Sequence, residues 1–162
     1  ITAYWKGYKE YRNDRISTKL PAMWGFQAAG AAPLVTGQPV AKPETIATAI
    51  RIGNPASWDQ AIAARDESGG LIDSVTDEEI LSAYRLLAGK EGIFCEPSSA
   101  AGLAGLIKYK NAGKLPRDKT IVITCTGNGL KDIPWALEGA ADPTVIPVNA
   151  DAAARALGLV KK

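Results

Sequence analysis

The sequence predicts an α/β fold, with a mainly parallel sheet flanked by helices, in a single domain over residues 1–162. Strand-like runs alternate along the chain with helical patterns of ten to fifteen residues, which is typical of this class. Residues 120–124 are β-branched throughout, as in a strand buried on both faces of a parallel sheet. The length of 162 residues suits one domain, because domains usually hold ~100–200 residues.

The composition excludes several classes of function. The chain has no histidine, so Ser-His-Asp and Cys-His catalysis and His-ligated zinc are excluded, and we expect no metal site. Nineteen Lys and Arg residues against seventeen Asp and Glu residues form no basic block, so we expect no nucleic-acid partner. No run approaches the ~20 apolar residues of a membrane span, and we expect no signal peptide. We therefore expect a cytoplasmic protein without a membrane partner.

The first half of the chain predicts helix, strand, loop and helix in that order. Residues 1–15 have a helical period, with Ile1, Tyr4, Trp5, Tyr8 and Tyr11 on one face. A strand is predicted at residues 22–27. Residues 33–57 are rich in proline and predict a loop with a short helix near residues 45–51, and a helix follows from Ser57 to the Gly69-Gly70 pair.

The second half predicts three further strands and three further helices. Thr76 and Glu79 form a capping-box pattern, in which the hydroxyl and the carboxylate each bond a free amide at the start of a helix. Strands are predicted at residues 71–75, 93–96 and 120–124, and helices at residues 76–88, 97–111 and 151–157. Cys95 and Cys125 each lie in an apolar run and are predicted to be buried free thiols of a reducing compartment.

Three turns follow predicted strands, at the sheet edge where open α/β folds bind ligands. The turn at residues 27–32 has small side chains, and we favour tight packing over ligand binding there. Glu96 stands at a helix N-terminus, where helix capping or a salt bridge is the alternative to a ligand role. In the turn at residues 124–132, Thr126 presents a hydroxyl, and the glycines around Asn128 permit a positive φ. An ordinary strand-to-helix turn is the alternative there.

Taken together, four motifs of this chain resemble the threonine synthase family. They are QAAGAAP at 27–33, IRIGNP at 50–55, EPSSA at 96–100 and TGNGLKD at 126–132. EPSSA is shared with serine and threonine dehydratases, whereas IRIGNP and TGNGLKD are more specific to threonine synthases. The resemblance covers essentially the whole chain. It implies a pyridoxal-phosphate enzyme with the fold of tryptophan synthase β, of which these residues form the C-terminal part of the large domain.

The resemblance also implies that several cofactor-binding residues lie upstream of this chain. In the family, a Gly-Asn-Ala-Gly-Asn loop that binds the cofactor phosphate precedes a helix resembling residues 1–7. The Schiff-base lysine and an asparagine that contacts the ring hydroxyl are expected upstream as well. We therefore expect no catalytic residue in these 162 residues, and an inactive chain when it stands alone. Lys131 matches a different family position and is interpreted as a surface or supporting lysine.

Within the chain, the resemblance assigns cofactor contacts to Thr126, Gly127 and Glu96. The Thr126 hydroxyl would hydrogen-bond the pyridine nitrogen of pyridoxal phosphate, which it cannot protonate as a buried aspartic acid would. The cofactor ring is then a milder electron sink, and positioned acids and bases must control the proton transfers. Glu96 would lie near the ring in an electrostatic or packing role.

The reaction implied by the resemblance is the conversion of O-phospho-L-homoserine and water to L-threonine and phosphate. The implied partners are this small substrate, the N-terminal part of the same enzyme, and a second copy in a homodimer. A serine/threonine dehydratase or an O-acetylserine-type lyase of the same fold is the alternative among enzymes. A regulatory or interaction domain that kept the fold and lost the lysine is the alternative from another class.

Overall fold

The computed structural model of this protein describes residues 1–138 and 141–160 and has the predicted α/β architecture. Its helices are α1 (Thr2–Asn13), α2 (Pro33–Thr36), α3 (Trp58–Glu67), α4 (Asp77–Leu86), α5 (Pro97–Asn111), α6 (Ile133–Leu137) and α7 (Ala150–Ala156). Its strands are β1 (Trp24–Ala28) and β2 (Leu71–Val75). Short 3-10 turns lie at residues 29–31, 48–50 and 129–132, and a π-helical turn lies at residues 87–91.

The two strands form a parallel sheet whose carboxyl ends are buried. Trp24 is paired with Leu71 at one end of the ladder and Ala28 with Val75 at the other. Ala28 and Val75 are almost fully buried. α2 and α3 lie in the connection between the strands, as a parallel pair requires a crossover. The parallel sheet predicted from the sequence is confirmed for this pair.

The core lies where α4 and α5 pack on each other and on the sheet. α5 brings Ala100, Ala101 and Ala104 into this core, and such small side chains let two helices approach closely. The larger buried side chains of α4 and its continuation are Ile80, Tyr84 and Leu87. Hydrogen bonds also link α5 to β2. Lys108 Nζ donates to Asp73 Oδ2 at 2.9 Å and to the carbonyl oxygen of Ser74 at 2.6 Å.

The capping box at the start of α4 is confirmed. Thr76 Oγ1 accepts from the Glu79 amide at 3.1 Å, and Glu79 Oε2 accepts from the Thr76 amide at 2.8 Å. Two amides that no helical carbonyl can reach are thereby satisfied. Asp77, Glu78 and Glu79 also place negative charge at the positive end of the helix dipole. Local sequence alone therefore determines where α4 begins.

α1 forms as predicted, but only one of its aromatic residues is buried. Trp5 packs towards α3, and its Nε1 donates to Glu67 Oε2 at 2.7 Å. Lys9 Nζ reaches the same oxygen at 2.7 Å. The hydrogen bond from Lys9, and then that from Trp5, lower the pKa of the Glu67 carboxyl. The other aromatic residues predicted on this face, Tyr4, Tyr8 and Tyr11, are exposed, because α3 covers only the side of α1 that carries Trp5.

Three sequence predictions of secondary structure are wrong. Residues 120–124 form no strand, since they pair with neither β1 nor β2 and Val122 is 80% exposed. Residues 93–96 are reduced to one isolated antiparallel bridge, between Cys95 and Asn128. The helix expected near residues 45–51 is only a 3-10 turn, from Thr48 to Ile50. Among the helices of the described residues, none combines the length and the apolar character needed to cross a bilayer.

Candidate functional site

The start of α5 and the loop at residues 126–129 lie side by side. The Glu96 amide donates to the carbonyl oxygen of Gly127 at 2.9 Å, and the Gly129 amide donates to that of Phe94 at 3.2 Å. These two bonds flank the antiparallel bridge between Cys95 and Asn128. The EPSSA and TGNGLKD motifs, which are about thirty residues apart in sequence, are thus joined through their backbones.

Ser99 forms a second connection between the two motifs. It lies in the first turn of α5, where its amide donates to the carbonyl oxygen of Glu96 at 3.0 Å. Its buried Oγ accepts from the Gly127 amide at 2.9 Å. Pro97 occupies the first turn of this helix, a position where its missing N–H is no loss. Both polar backbone groups of Gly127 are therefore held by the first turn of α5.

The Glu96 side chain is buried against Gly127. Its relative exposure is 4%, and a Cβ on Gly127 would overlap the carboxyl group of Glu96. Glycine permits this close approach of the Glu96 side chain and does not serve a positive φ, which neither Gly127 nor Gly129 adopts. The expectation of positive φ around Asn128 is therefore wrong. Lys131 Nζ lies 3.8 Å from Glu96 Oε2 with an exposed side chain, as expected for a surface or supporting lysine.

Thr126 lies at the solvent-facing edge of this arrangement. Its side chain is exposed, and it directly precedes the buried Gly127. The three residues that the sequence selects, Thr126, Gly127 and Glu96, therefore form one continuous patch. The exposed Thr126 hydroxyl can donate a hydrogen bond to a planar heteroaromatic ligand. The Glu96 carboxylate beneath it can place negative charge near such a ligand.

The turn at residues 27–32 packs closely against a neighbouring segment, in agreement with the packing interpretation. Gln27 Oε1 accepts from the Leu34 amide at 2.9 Å and closes the turn. The Glu44 amide donates to the carbonyl oxygen of Gly30 at 3.0 Å. A Cβ on Gly30 would collide with the carbonyl oxygen of Glu44, so the two backbones touch. The small side chains of this turn serve contact between chain segments.

The 3-10 turn before the IRIGNP motif also reaches the site. Ser98 Oγ accepts from the Ala49 amide at 3.1 Å, and Thr48 Oγ1 donates to Asp132 Oδ2 at 2.8 Å. Asp132 is buried and ends the TGNGLKD motif. An open cavity of about 380 Å³ borders this turn, lined by Glu44, Thr45, Ile46, Thr48, Arg51, Asp77 and Trp135.

Sequence reasoning missed three residues that hold the motifs together, namely Ser99, Thr48 and Asp132. Ser99 and Asp132 stand inside motifs that the sequence singled out, but nothing in one sequence indicates which residue of a motif faces its neighbour. Thr48 has no local signal at all. Its bond to Asp132 joins residues that are 84 positions apart.

The two cysteines differ in environment. Cys95 is buried as predicted, whereas Cys125 is exposed, so the prediction for Cys125 is wrong. Cys125 directly follows the segment at residues 120–124, which forms no strand, so no neighbouring strand covers it. Burial, and then the adjacent Cys125 thiol, raise the pKa of Cys95 to about 11.

In the native 162-residue chain we expect a thiol reagent to modify Cys125 and to leave Cys95 unmodified. The thiolate is the reactive form, and Cys95 is both inaccessible and held protonated. Brief treatment with iodoacetamide in mildly alkaline buffer, followed by peptide mass spectrometry, measures this directly. A denatured sample, in which both residues are modified, is the control. Equal labelling of Cys95 in the native chain would contradict the burial described here.

Comparisons with known proteins agree with the motifs. The family model described as pyridoxal-phosphate dependent enzyme matches residues 1–127. The threonine synthase of Mycobacterium leprae (strain TN) is 56% identical over 160 residues, which are 99% of this chain and 44% of that protein. The threonine synthase of Methanosarcina acetivorans is 46% identical over 97% of this chain and 41% of that protein. The chain thus spans less than half the length of these curated relatives.

Among solved structures, the crystal structure of a threonine deaminase from T.th. resembles this chain in fold. The TM-score is 0.52 and the sequence identity is 21%, over 74% of this chain and 47% of that chain. At this identity the likeness concerns the fold alone, which is the predicted one.

Proposed function

This chain belongs to the pyridoxal-phosphate dependent enzyme family, and from that premise we propose that it is part of a threonine synthase. The observation that carries the proposal is the identity of 46–56% to threonine synthases over nearly the whole chain. Because the chain spans only about 44% of the Mycobacterium leprae relative, the activity is that of a longer enzyme. Residues 1–162 then form one α/β unit of it, in which β1, β2, α4 and α5 share a core.

The proposed reaction is the conversion of O-phospho-L-homoserine and water to L-threonine and phosphate. The Schiff-base lysine and the phosphate-binding loop would be supplied by the part of the enzyme upstream of residue 1. The family resemblance further supports a cytoplasmic homodimer as its working form. Release of phosphate by the complete enzyme distinguishes a threonine synthase from a dehydratase of the same fold.

The residues of the patch fit the ring of pyridoxal phosphate. Gly127 provides backbone next to Glu96 where any larger residue would overlap the carboxyl group, and Thr126 offers an exposed hydroxyl beside it. When bound, this cofactor supplies an electron sink for carbanions formed on the substrate. The Thr126 hydroxyl would donate to the ring nitrogen without transferring its proton. Glu96 would contribute negative charge and packing beneath the loop.

The experiment that tests the proposal uses the full-length enzyme loaded with pyridoxal phosphate. We expect phosphate to be released from O-phospho-L-homoserine, as measured by a phosphate assay, and threonine to be formed, as measured by chromatography. Incubation with L-threonine is the control, and formation of 2-oxobutyrate as the main activity would favour the dehydratase. Failure to bind the cofactor would favour the non-catalytic alternative.

A further inference from the structure

Thr126 shares a peptide group with Gly127, whose backbone is held by the start of α5. The carbonyl of Thr126 and the amide of Gly127 belong to the same peptide plane. A hydrogen bond that holds the Gly127 N–H therefore restrains the peptide plane in which the Thr126 Cα also lies. Ser99 Oγ accepts from this N–H at 2.9 Å.

The Ser99 hydroxyl is itself rigidly placed. Ser99 lies in the first turn of the fifteen-residue helix α5 and is only 7% exposed. Its hydrogen bond to Gly127 is buried, so water cannot readily take the place of the hydroxyl. On the other side of Gly127, the carbonyl oxygen accepts from the Glu96 amide at 2.9 Å. The start of α5 thus binds the two successive peptide groups on either side of Gly127.

The neighbouring Ser98 has a different hydrogen-bond partner from Ser99. Ser98 Oγ accepts from the Ala49 amide at 3.1 Å and holds the 3-10 turn at residues 48–50. Ser99 Oγ instead accepts from the amide of Gly127, in the loop that carries Thr126. The same side chain in adjacent positions of one helical turn therefore stabilises two separate segments, which provides a matched pair for an experiment.

We propose that Ser99 is a positioning residue for the cofactor contact: by accepting the Gly127 N–H it restrains the peptide group that joins Thr126 to Gly127, and with it the backbone from which the Thr126 hydroxyl would contact the ring nitrogen. This inference rests on the proposed function, and it adds a residue to which neither the motif resemblance nor the comparisons assign a role. In this proposal Ser99 has no contact of its own with the ring. Its effect passes through the peptide between Thr126 and Gly127.

The test is made in the full-length enzyme with the variants Ser99→Ala, Ser99→Cys and Ser99→Thr. Alanine removes the acceptor, cysteine keeps a similar shape with a weak acceptor, and threonine keeps the hydroxyl. We expect alanine and cysteine to lower kcat roughly five- to hundredfold, the effect of one lost buried hydrogen bond. KM for O-phospho-L-homoserine should stay near its wild-type value, and the visible absorption band of bound pyridoxal phosphate should shift. Threonine should restore both kcat and the band.

Ser98→Ala is the matched control and should leave the absorption band in its wild-type position, because its hydrogen bond goes to Ala49. If Ser99→Ala does not fold, kcat and the absorption band are compared between Ser99→Cys and Ser99→Thr, and this comparison tests the inference. Lower thermal stability with an unchanged kcat and an unchanged band would overturn the inference and leave Ser99 a purely structural residue. A wild-type enzyme that shows no cofactor band would instead overturn the proposed function, and the inference with it.

Discussion

Replacing Thr126 with valine in the full-length enzyme is expected to lower kcat/KM roughly five- to hundredfold while leaving the fold intact. Valine has nearly the shape of threonine but no hydroxyl, so the proposed hydrogen bond to the ring nitrogen is lost. The fold is unaffected because the Thr126 side chain is exposed and contributes nothing to the core. Steady-state turnover, the visible spectrum of the bound cofactor and the thermal midpoint measure the three parts of this prediction.

The matched control for this substitution is Thr124→Val. Thr124 is also exposed and lies two residues earlier in the same segment, so it tests the loss of a hydroxyl without the loss of a cofactor contact. We expect its turnover to match that of the wild type. If Thr126→Val has the same turnover and the same cofactor spectrum as the wild type, Thr126 does not face the ring.

Replacing Gly30 with alanine is expected to destabilise the protein by about 1–3 kcal/mol or more. The new Cβ would meet the backbone carbonyl oxygen of Glu44, which cannot turn away as a flexible side chain could. The hydrogen bond of 3.0 Å from the Glu44 amide to the Gly30 carbonyl must stretch if the segments separate. At this chain length each kcal/mol corresponds to about 2–4 °C in the thermal midpoint, which scanning calorimetry or circular dichroism resolves.

The control for Gly30→Ala is Gly7→Ala. Gly7 lies within α1, and a Cβ there meets no other atom within 4 Å. Alanine is the better helix former by about 0.5–1 kcal/mol, so this variant should be slightly more stable than the wild type. Equal midpoints for the two variants would show that the turn at residues 27–32 is not packed against Glu44 as described.

Elements with local signals were predicted well from the sequence. The capping box of Thr76 and Glu79 satisfies two amides by contacts within four residues, and the proline at the start of α5 has no amide hydrogen to satisfy. Both signals are therefore contained in one stretch of sequence. The alternation of helices and strands was enough for the fold class. The choice of Thr126, Gly127 and Glu96 came from motifs, and their mutual proximity agrees with the backbone pairing of the two motifs.

Features that depend on distant partners were predicted poorly. A β-branched run such as residues 120–124 becomes a strand only where a neighbouring strand accepts and donates its ladder bonds, and this requirement is invisible in the run itself. Cys125 was predicted to be buried because this run was expected to form a strand, and without a neighbouring strand it is exposed. The bond from Ser99 to Gly127 was missed because which of two adjacent serines faces a loop depends on how the helix is oriented.

The unpaired run at residues 120–124 also has a consequence for how the chain behaves at high concentration. Ile121 and Val122 are 45% and 80% exposed, and an apolar β-branched run that lies outside a sheet can pair with the same run of another copy. Two copies that align this run would bury its apolar side chains and begin an aggregate. Arg117, Asp118 and Lys119 stand directly before it, in the place where natural sequences put charged gatekeepers. Neutralising these three exposed charges is therefore expected to promote self-association without altering the core.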